Sequence, residues 1–211
     1  MGPNICISMR VVELNALGET RDAIDRKLIQ FVRKAGFTPF LIPNTLIDTH
    51  GPSGLMESWF QHFDLRGVLL SGGEDLGDDS NRDFTELELL QVADKMKLPV
   101  LGICRGMQML SLFAGHNALI PVTGHVKANH KIIPEGSNEL LPKEVNSYHN
   151  YALSSCPPNY KVLGRASDGV IEAIRRLDLP WEGWMWHPER NVPVEKLDIL
   201  RFQQLFGVNN S

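Results

Sequence analysis

A doubly wound, mostly parallel α/β sheet with a small antiparallel section in the C-terminal half is predicted by three observations. Through the first half of the chain, short apolar runs alternate with segments of helical apolar spacing, the pattern of strands joined by crossover helices. The runs at 37–42 and 65–70 close on Pro43 and on Ser71-Gly72-Gly73, residues that stop a strand. After about Asn117 the alternation gives way to short strand-like runs separated by Gly, Pro and Asp turns.

The elements follow in order. Residues 5–9 read as a first buried strand. Residues 21–35 carry Ile24, Leu28, Phe31 and Val32 at helical spacing and end at Gly36, so a helix is expected there, opened by Glu19, Thr20, Arg21 and Asp22. Residues 37–42 form a second strand, stopped by Pro43, and 65–70 a third, leading into Ser71-Gly72-Gly73. A helix over 84–96, a strand over 99–103 and a helix over 106–114 complete the parallel half. Strands are expected at 124–133, 160–166, 170–174 and 183–186, and a closing helix at 194–206. No repeat, low-complexity segment or interdomain linker interrupts the chain, so residues 1–211 are expected to form one domain.

Three segments carry chemistry. Gly102-Ile103-Cys104-Arg105-Gly106 stands between an apolar strand and an apolar helix, a G-x-nucleophile-x-G elbow with cysteine at its tip. The flanking glycines permit the sharp turn, and a helix N-terminus favours the thiolate, the reactive form. A thiol nucleophile needs a base, and the base an orienting partner. Trp186-His187-Pro188-Glu189 supplies both, because an extended H-x-E places the two side chains on one face. Pro188 pushes His187 toward an extended backbone. A tetrahedral intermediate also needs backbone N–H donors, and Gly72-Gly73, after a strand of the same sheet, allow close approach of the backbone to a substrate. The N–H of Arg105 is the expected second donor.

In this order, these segments resemble the class I glutamine amidotransferase-like family, whose fold is flavodoxin-like. The resemblance covers nearly the whole chain. It implies Cys104 as nucleophile, His187 as general base and then acid, Glu189 as orienter, and the N–H groups of Gly73 and Arg105 as oxyanion donors. It further implies a glutamyl pocket lined by Gly72, Gln108 and the segment Asn146-Ser147-Tyr148-His149. Arg105 directly after the nucleophile is similar to the branch that hydrolyses γ-glutamyl amides, in which glutamate is released through a γ-glutamyl thioester. That branch usually continues its glycine motif with Pro and Tyr, whereas this chain reads Gly73-Glu74-Asp75-Leu76-Gly77. The compact length is more similar to stand-alone members found with surface-polysaccharide synthesis. The alternatives are a glutaminase subunit that delivers ammonia to a separate synthase, and a non-catalytic binding protein on the same fold.

Composition bounds the partners. Of 211 residues, 43% are hydrophobic, enough for a substantial core. A net charge of −4 gives no reason to expect nucleic acid. Three widely spaced cysteines make no disulfide framework, and Cys6 and Cys156 read as structural. No apolar run reaches membrane-spanning length and the first residues lack signal-peptide character, so the cytoplasm is expected. The expected ligand is a small γ-glutamyl substrate, with a homodimer or a synthase as the protein partners left open. His116, His125 and His130 match no zinc-ligand spacing, so no metal or other cofactor is expected. Arg21 is the cation placed to hold a carboxylate or phosphate on the leaving half of the substrate.

Overall fold

The parallel half of the sheet forms where the apolar runs lie. The computed structural model describes residues 2–46, 54–136 and 140–207. The chain runs β1 (Asn4–Ser8), β2 (Arg10–Leu14), β3 (Glu19–Ala23), α1 (Arg26–Lys34), β4 (Thr38–Ile42), α2 (Leu55–His62), β5 (Leu65–Leu70), α3 (Ser80–Met96), β6 (Val100–Ile103) and α4 (Arg105–Phe113). It continues with β7 (Leu119–Pro121), β8 (Val126–Pro134), β9 (Glu144–Tyr148), β10 (Tyr151–Leu153), β11 (Tyr160–Ala166), β12 (Ile171–Arg176) and β13 (Trp181–Trp184). A 3-10 turn at Pro188–Arg190 and α5 (Lys196–Leu205) follow.

Among the described residues nine strands make the main sheet, in the order β4-β1-β5-β6-β13-β12-β11-β8-β9. The five strands from β4 to β13 are mutually parallel. The antiparallel section, expected to be small, is a run of four strands beyond β13. Two two-stranded ribbons, β2–β3 and β7–β10, stand beside the main sheet. The helices fall into two groups. α1 and α5 meet through an edge-on Phe31–Phe202 contact with ring centroids 5.2 Å apart, while α3 packs against both α2 and α4. The flavodoxin-like α/β class is as expected.

The start of the first helix is corrected. Arg21 lies in β3, paired across the ribbon with Val12, and the helix opens five residues later at Arg26. Asp22 does not cap that helix. Its carboxylate accepts from the backbone N–H and the Nδ2 of Asn44 at 2.8 and 2.7 Å, tying the ribbon to the chain after β4. Asp25 is the cap, accepting from the Lys27 N–H at 2.9 Å. The helical spacing is genuine from Leu28 onward, where Leu28, Phe31 and Val32 are buried. Upstream of it, cross-strand pairing and the Asp22–Asn44 bonds hold the backbone extended.

The site-bearing segments converge because β5, β6 and β13 are adjacent and parallel. Ser71 follows β5, Cys104 follows β6, and His187 comes three residues after β13. All three therefore reach the C-terminal edge of one sheet, where open α/β sheets bind ligands. Trp181, Trp184 and Trp186 are wholly buried, and the last two stack with centroids 5.2 Å apart and planes 4° from parallel.

Candidate active site

Cys104 is held by the backbone. It adopts φ 52° and ψ −105°, a conformation that a residue with a side chain rarely takes. Its N–H donates to Trp184 O at 2.7 Å, and its carbonyl accepts from the Met107 N–H at 3.0 Å, the first turn of α4. The glycines are needed for a close approach. A Cβ on Gly102 would lie 2.4 Å from the carbonyl of Gly106, and one on Gly106 would lie 2.4 Å from Leu70 O on β5. The turn thus presses α4 directly on the strand layer. The Cys104 side chain is buried but for a small face, at the N-terminus of α4.

His187 is held by side chains. Its Nδ1 lies 2.7 Å from Glu189 Oε1, with both residues buried. Its backbone is clamped by Asn146, whose Oδ1 accepts from the His187 N–H at 3.0 Å and whose Nδ2 donates to the His187 carbonyl at 2.7 Å. Asn146 Nδ2 also donates to Asn191 Oδ1 at 2.7 Å. The imidazole lies against Gly72, where a Cβ would sit 2.6 Å from ring Cε1. Tyr148 meets the same ring edge-on at 5.8 Å. Burial works to lower the His187 pKa. The hydrogen bonds and charges of Cys104 and Glu189 outweigh it and raise the value to about 9. The imidazole thus sits between a sulfur and a carboxylate, both of which favour its protonated form.

The loop Ser71-Gly72-Gly73 rests on buried charge. Arg82, fully buried, donates Nη1 to Glu74 at 2.6 Å, Nε to Glu86 at 3.1 Å, and Nη2 to Ser71 O at 2.8 Å and Gly72 O at 3.3 Å. Arg105 turns its side chain away from the elbow to pair with Glu86 and Asp83. Glu86 also accepts from the Ser8 hydroxyl at 2.7 Å, and that hydroxyl accepts from the Ser71 N–H at 3.0 Å. One network therefore ties the loop at Ser71 and Gly72 to Arg105, the residue after Cys104. As the first residue of α4, Arg105 has an N–H that precedes the helical hydrogen-bond ladder.

The remaining expected pocket residues are spread over the same region. Gln108, one turn into α4, donates Nε2 to Tyr151 O at 3.1 Å. His149 Nδ1 lies 3.0 Å from that same carbonyl. Ser147 is buried, its hydroxyl donating to His125 O at 2.7 Å. Arg21 is about half exposed and paired with Glu19. A different cation stands at the cleft beside His187 and Glu189. Arg10 and Arg190 line it, with Ser71 and Gly72. Arg190 stacks over Tyr148, 4.4 Å from the ring centroid. Sequence reasoning missed Arg10, Arg82 and Glu86. The i, i+4 spacing of Arg82 and Glu86 on a helix was the available signal for that pair, and nothing local marks Arg10.

A model of the Peptidase C26 family matches residues 4–189. The chain is 30% identical over 150 residues to the γ-glutamyl-CDP-amidate hydrolase of Campylobacter jejuni, covering 68% of this chain and 72% of that one. It is 26% identical over 224 residues to a γ-glutamyl-γ-aminobutyrate hydrolase of Escherichia coli, covering 88% and 86%. The crystal structure of a glutamine amidotransferase from Thermotoga maritima superposes with a TM-score of 0.65 at 16% identity, covering 97% and 84%, a likeness of fold. The chain belongs to the Peptidase C26 family, class I glutamine amidotransferase-like, and is a hydrolase. Among the described residues no helix is long and apolar enough to cross a membrane.

Proposed function

We propose that this member of the family hydrolyses a γ-glutamyl amide through a Cys104–His187–Glu189 triad. What supports the reading is one juxtaposition: a cysteine at positive φ on a strand-to-helix turn, facing a histidine whose far nitrogen is bonded to a buried carboxylate. Cys104 Sγ attacks the γ-carbonyl carbon, and the N–H groups of Gly73 and Arg105 receive the oxyanion. The carbon–nitrogen bond breaks as His187 passes its proton to the leaving amine, and a γ-glutamyl thioester forms. His187, now neutral, takes a proton from water as the water oxygen attacks the thioester carbonyl. Collapse expels the Cys104 sulfur and releases glutamate. No cofactor enters these steps. Gln108 and the strand segment from Asn146 to His149 form the glutamyl side of the site.

The leaving half is anionic in this reading. Arg10 and Arg190 line the cleft beside His187, and the buried Arg10 Nε has no hydrogen-bond partner among the described residues. Guanidinium groups suit carboxylates and phosphates. The name of the Campylobacter jejuni relative points the same way, to a γ-glutamyl nucleotide phosphoramidate. The enzyme then acts on a small molecule in the cytoplasm.

The test is glutamate release by the isolated protein from glutamine, γ-glutamyl-γ-aminobutyrate and a γ-glutamyl nucleotide phosphoramidate. Fast turnover of the phosphoramidate, with little on glutamine, is expected. Cys104→Ala should lower it by on the order of 10⁵-fold or more while the thermal transition is kept. Activity on glutamine that rises only when a synthase is added would move the protein to the amidotransferases. Full activity of Cys104→Ala would end the triad mechanism.

A further inference from the structure

A second cluster of titratable side chains lies where β8, β12 and the end of β9 meet. His125 stands just before β8, His130 within it, Glu172 in β12 and His149 just after β9. His125, His149 and Glu172 are buried, and His130 is half-buried. His116, the other histidine weighed from the sequence, lies elsewhere, near the hydroxyls of Ser154 and Ser155.

The outer nitrogens of two of these rings already have acceptors. His125 Nε2 lies 2.8 Å from the Asp168 carboxylate, and His149 Nδ1 lies 3.0 Å from the Tyr151 carbonyl. Neither partner can donate, so each outer nitrogen must carry the hydrogen. In the neutral rings the inner nitrogens are then bare. They face each other across 3.2 Å, and each lies 3.6 Å from Glu172 Oε1. Both carboxylate oxygens of Glu172 are buried with no hydrogen-bond partner, and so is Nε2 of His130. Ligand atoms of His125, His130 and Glu172 lie within 4.8 Å of one another. Lone pairs brought together in this way repel unless a cation stands among them.

The separations suit a small metal ion. Tetrahedral zinc with bonds of about 2.0–2.1 Å holds its ligand atoms about 3.3–3.4 Å apart, against 3.2, 3.6 and 3.6 Å here. An outer N–H held by a carboxylate or a carbonyl is also the usual support of a metal-bound histidine. An added proton would serve the His125–His149 pair and give Glu172 a charged neighbour at 3.6 Å, but it would leave the buried His130 Nε2 without a hydrogen-bond partner.

We propose that His125, His149 and Glu172, with His130 as the fourth ligand, bind one divalent transition metal of the zinc type. The site is structural: it holds no member of the proposed triad, and through His149 it borders the segment proposed to line the glutamyl side. It would pin β8 and β12 to the end of β9, the strand whose Asn146 clamps the backbone of His187. It holds whatever the substrate proves to be.

The experiment uses tag-free, chelator-treated full chain carrying Cys104→Ser, so that the active-site thiol cannot capture metal. Zn(II) is titrated against a chromophoric chelator, and X-ray absorption is recorded on the Zn(II) and Co(II) forms. One equivalent should bind through nitrogen and oxygen only, and Tm should rise by roughly 5 °C at a hundredfold excess over Kd. His130→Gln, at a half-buried strand position that tolerates the change, should weaken binding at least tenfold. Glu172→Gln should weaken it further. Absence of stoichiometric binding by the folded protein would overturn the site, as would binding unchanged in both variants, or sulfur in the metal shell.

Discussion

Cys104 and His187 arrive at one point from the two sides of the β6–β13 pairing, and they are held there by different means. Around Cys104 the work is done by backbone. Gly102 and Gly106 bring α4 to within contact of β5 and β6, and the cysteine takes its positive φ because the chain has no other course. Around His187 the work is done by side chains from distant segments. Asn146, 41 residues away, holds its N–H and its carbonyl, and Glu189 holds its ring. Cys104 is thus fixed by steric exclusion, which is local and stiff. His187 is fixed by hydrogen bonds, which are directional and can be removed one at a time. Beneath the Ser71–Gly73 loop a third means operates, a buried ion network.

The largest expected effect comes from breaking that network. Glu86→Gln leaves the Arg82 and Arg105 guanidinium groups with less counter-charge in a fully buried place. It should destabilise the fold by about 3–5 kcal/mol, read from denaturant unfolding. A loss below about 1 kcal/mol would mean that Glu74 and Asp83 suffice and that the loop is carried by its backbone.

Removing the clamp is smaller in stability and sharper in rate. Asn146→Ala should lower kcat by roughly ten- to hundredfold with KM for a γ-glutamyl conjugate little changed, because a misdirected base slows chemistry more than binding. Asn146→Asp keeps an acceptor for the His187 N–H and should recover part of the loss. If kcat is unaffected in Asn146→Ala, His187 is placed by its backbone, as Cys104 is, and the contrast between the two sides disappears.

The smallest effect is in pH dependence. His187 titrates near 6.5 when unfolded and at about 9 in the fold, so the folded form binds its proton more tightly. Its contribution to stability is complete below about pH 6.5 and is lost as pH rises through 9, a fall of about 1–3 kcal/mol. The wild-type Tm should therefore drop over this window. Cys104→Ala removes one of the two groups that raise the pKa, so its Tm should fall less. Equal slopes would show that Glu189 alone sets the His187 pKa.

How much of this was legible depends on how far the relevant forces reach along the chain. The Gly102–Gly106 elbow, the parallel strands and the His187–Glu189 pair rest on neighbours within a few residues, and each left a pattern in the sequence: glycine spacing, apolar runs, and a histidine two residues before a glutamate. The β2–β3 ribbon escaped because the helical spacing from Leu28 onward was extended upstream through Arg21, where cross-strand pairing with Val12 and the hold of Asp22 on Asn44 decide the backbone. Arg10 left no local mark, and its place in the cleft follows from where that ribbon packs.

By itself the sequence determined the α/β class, the turn that carries Cys104 and the pairing of His187 with Glu189, because local sterics act over short stretches; the expected extended H-x-E is corrected, since Glu189 reaches the ring from a 3-10 turn. Only the tertiary structure decided that Asn146 grips His187, that Arg82 and Glu86 underlie the glycine loop, and that three histidines from two segments gather at a buried Glu172. Those placements depend on strand order and register, and segments 24 to 78 residues apart in the chain become neighbours only once the sheet has closed over its core.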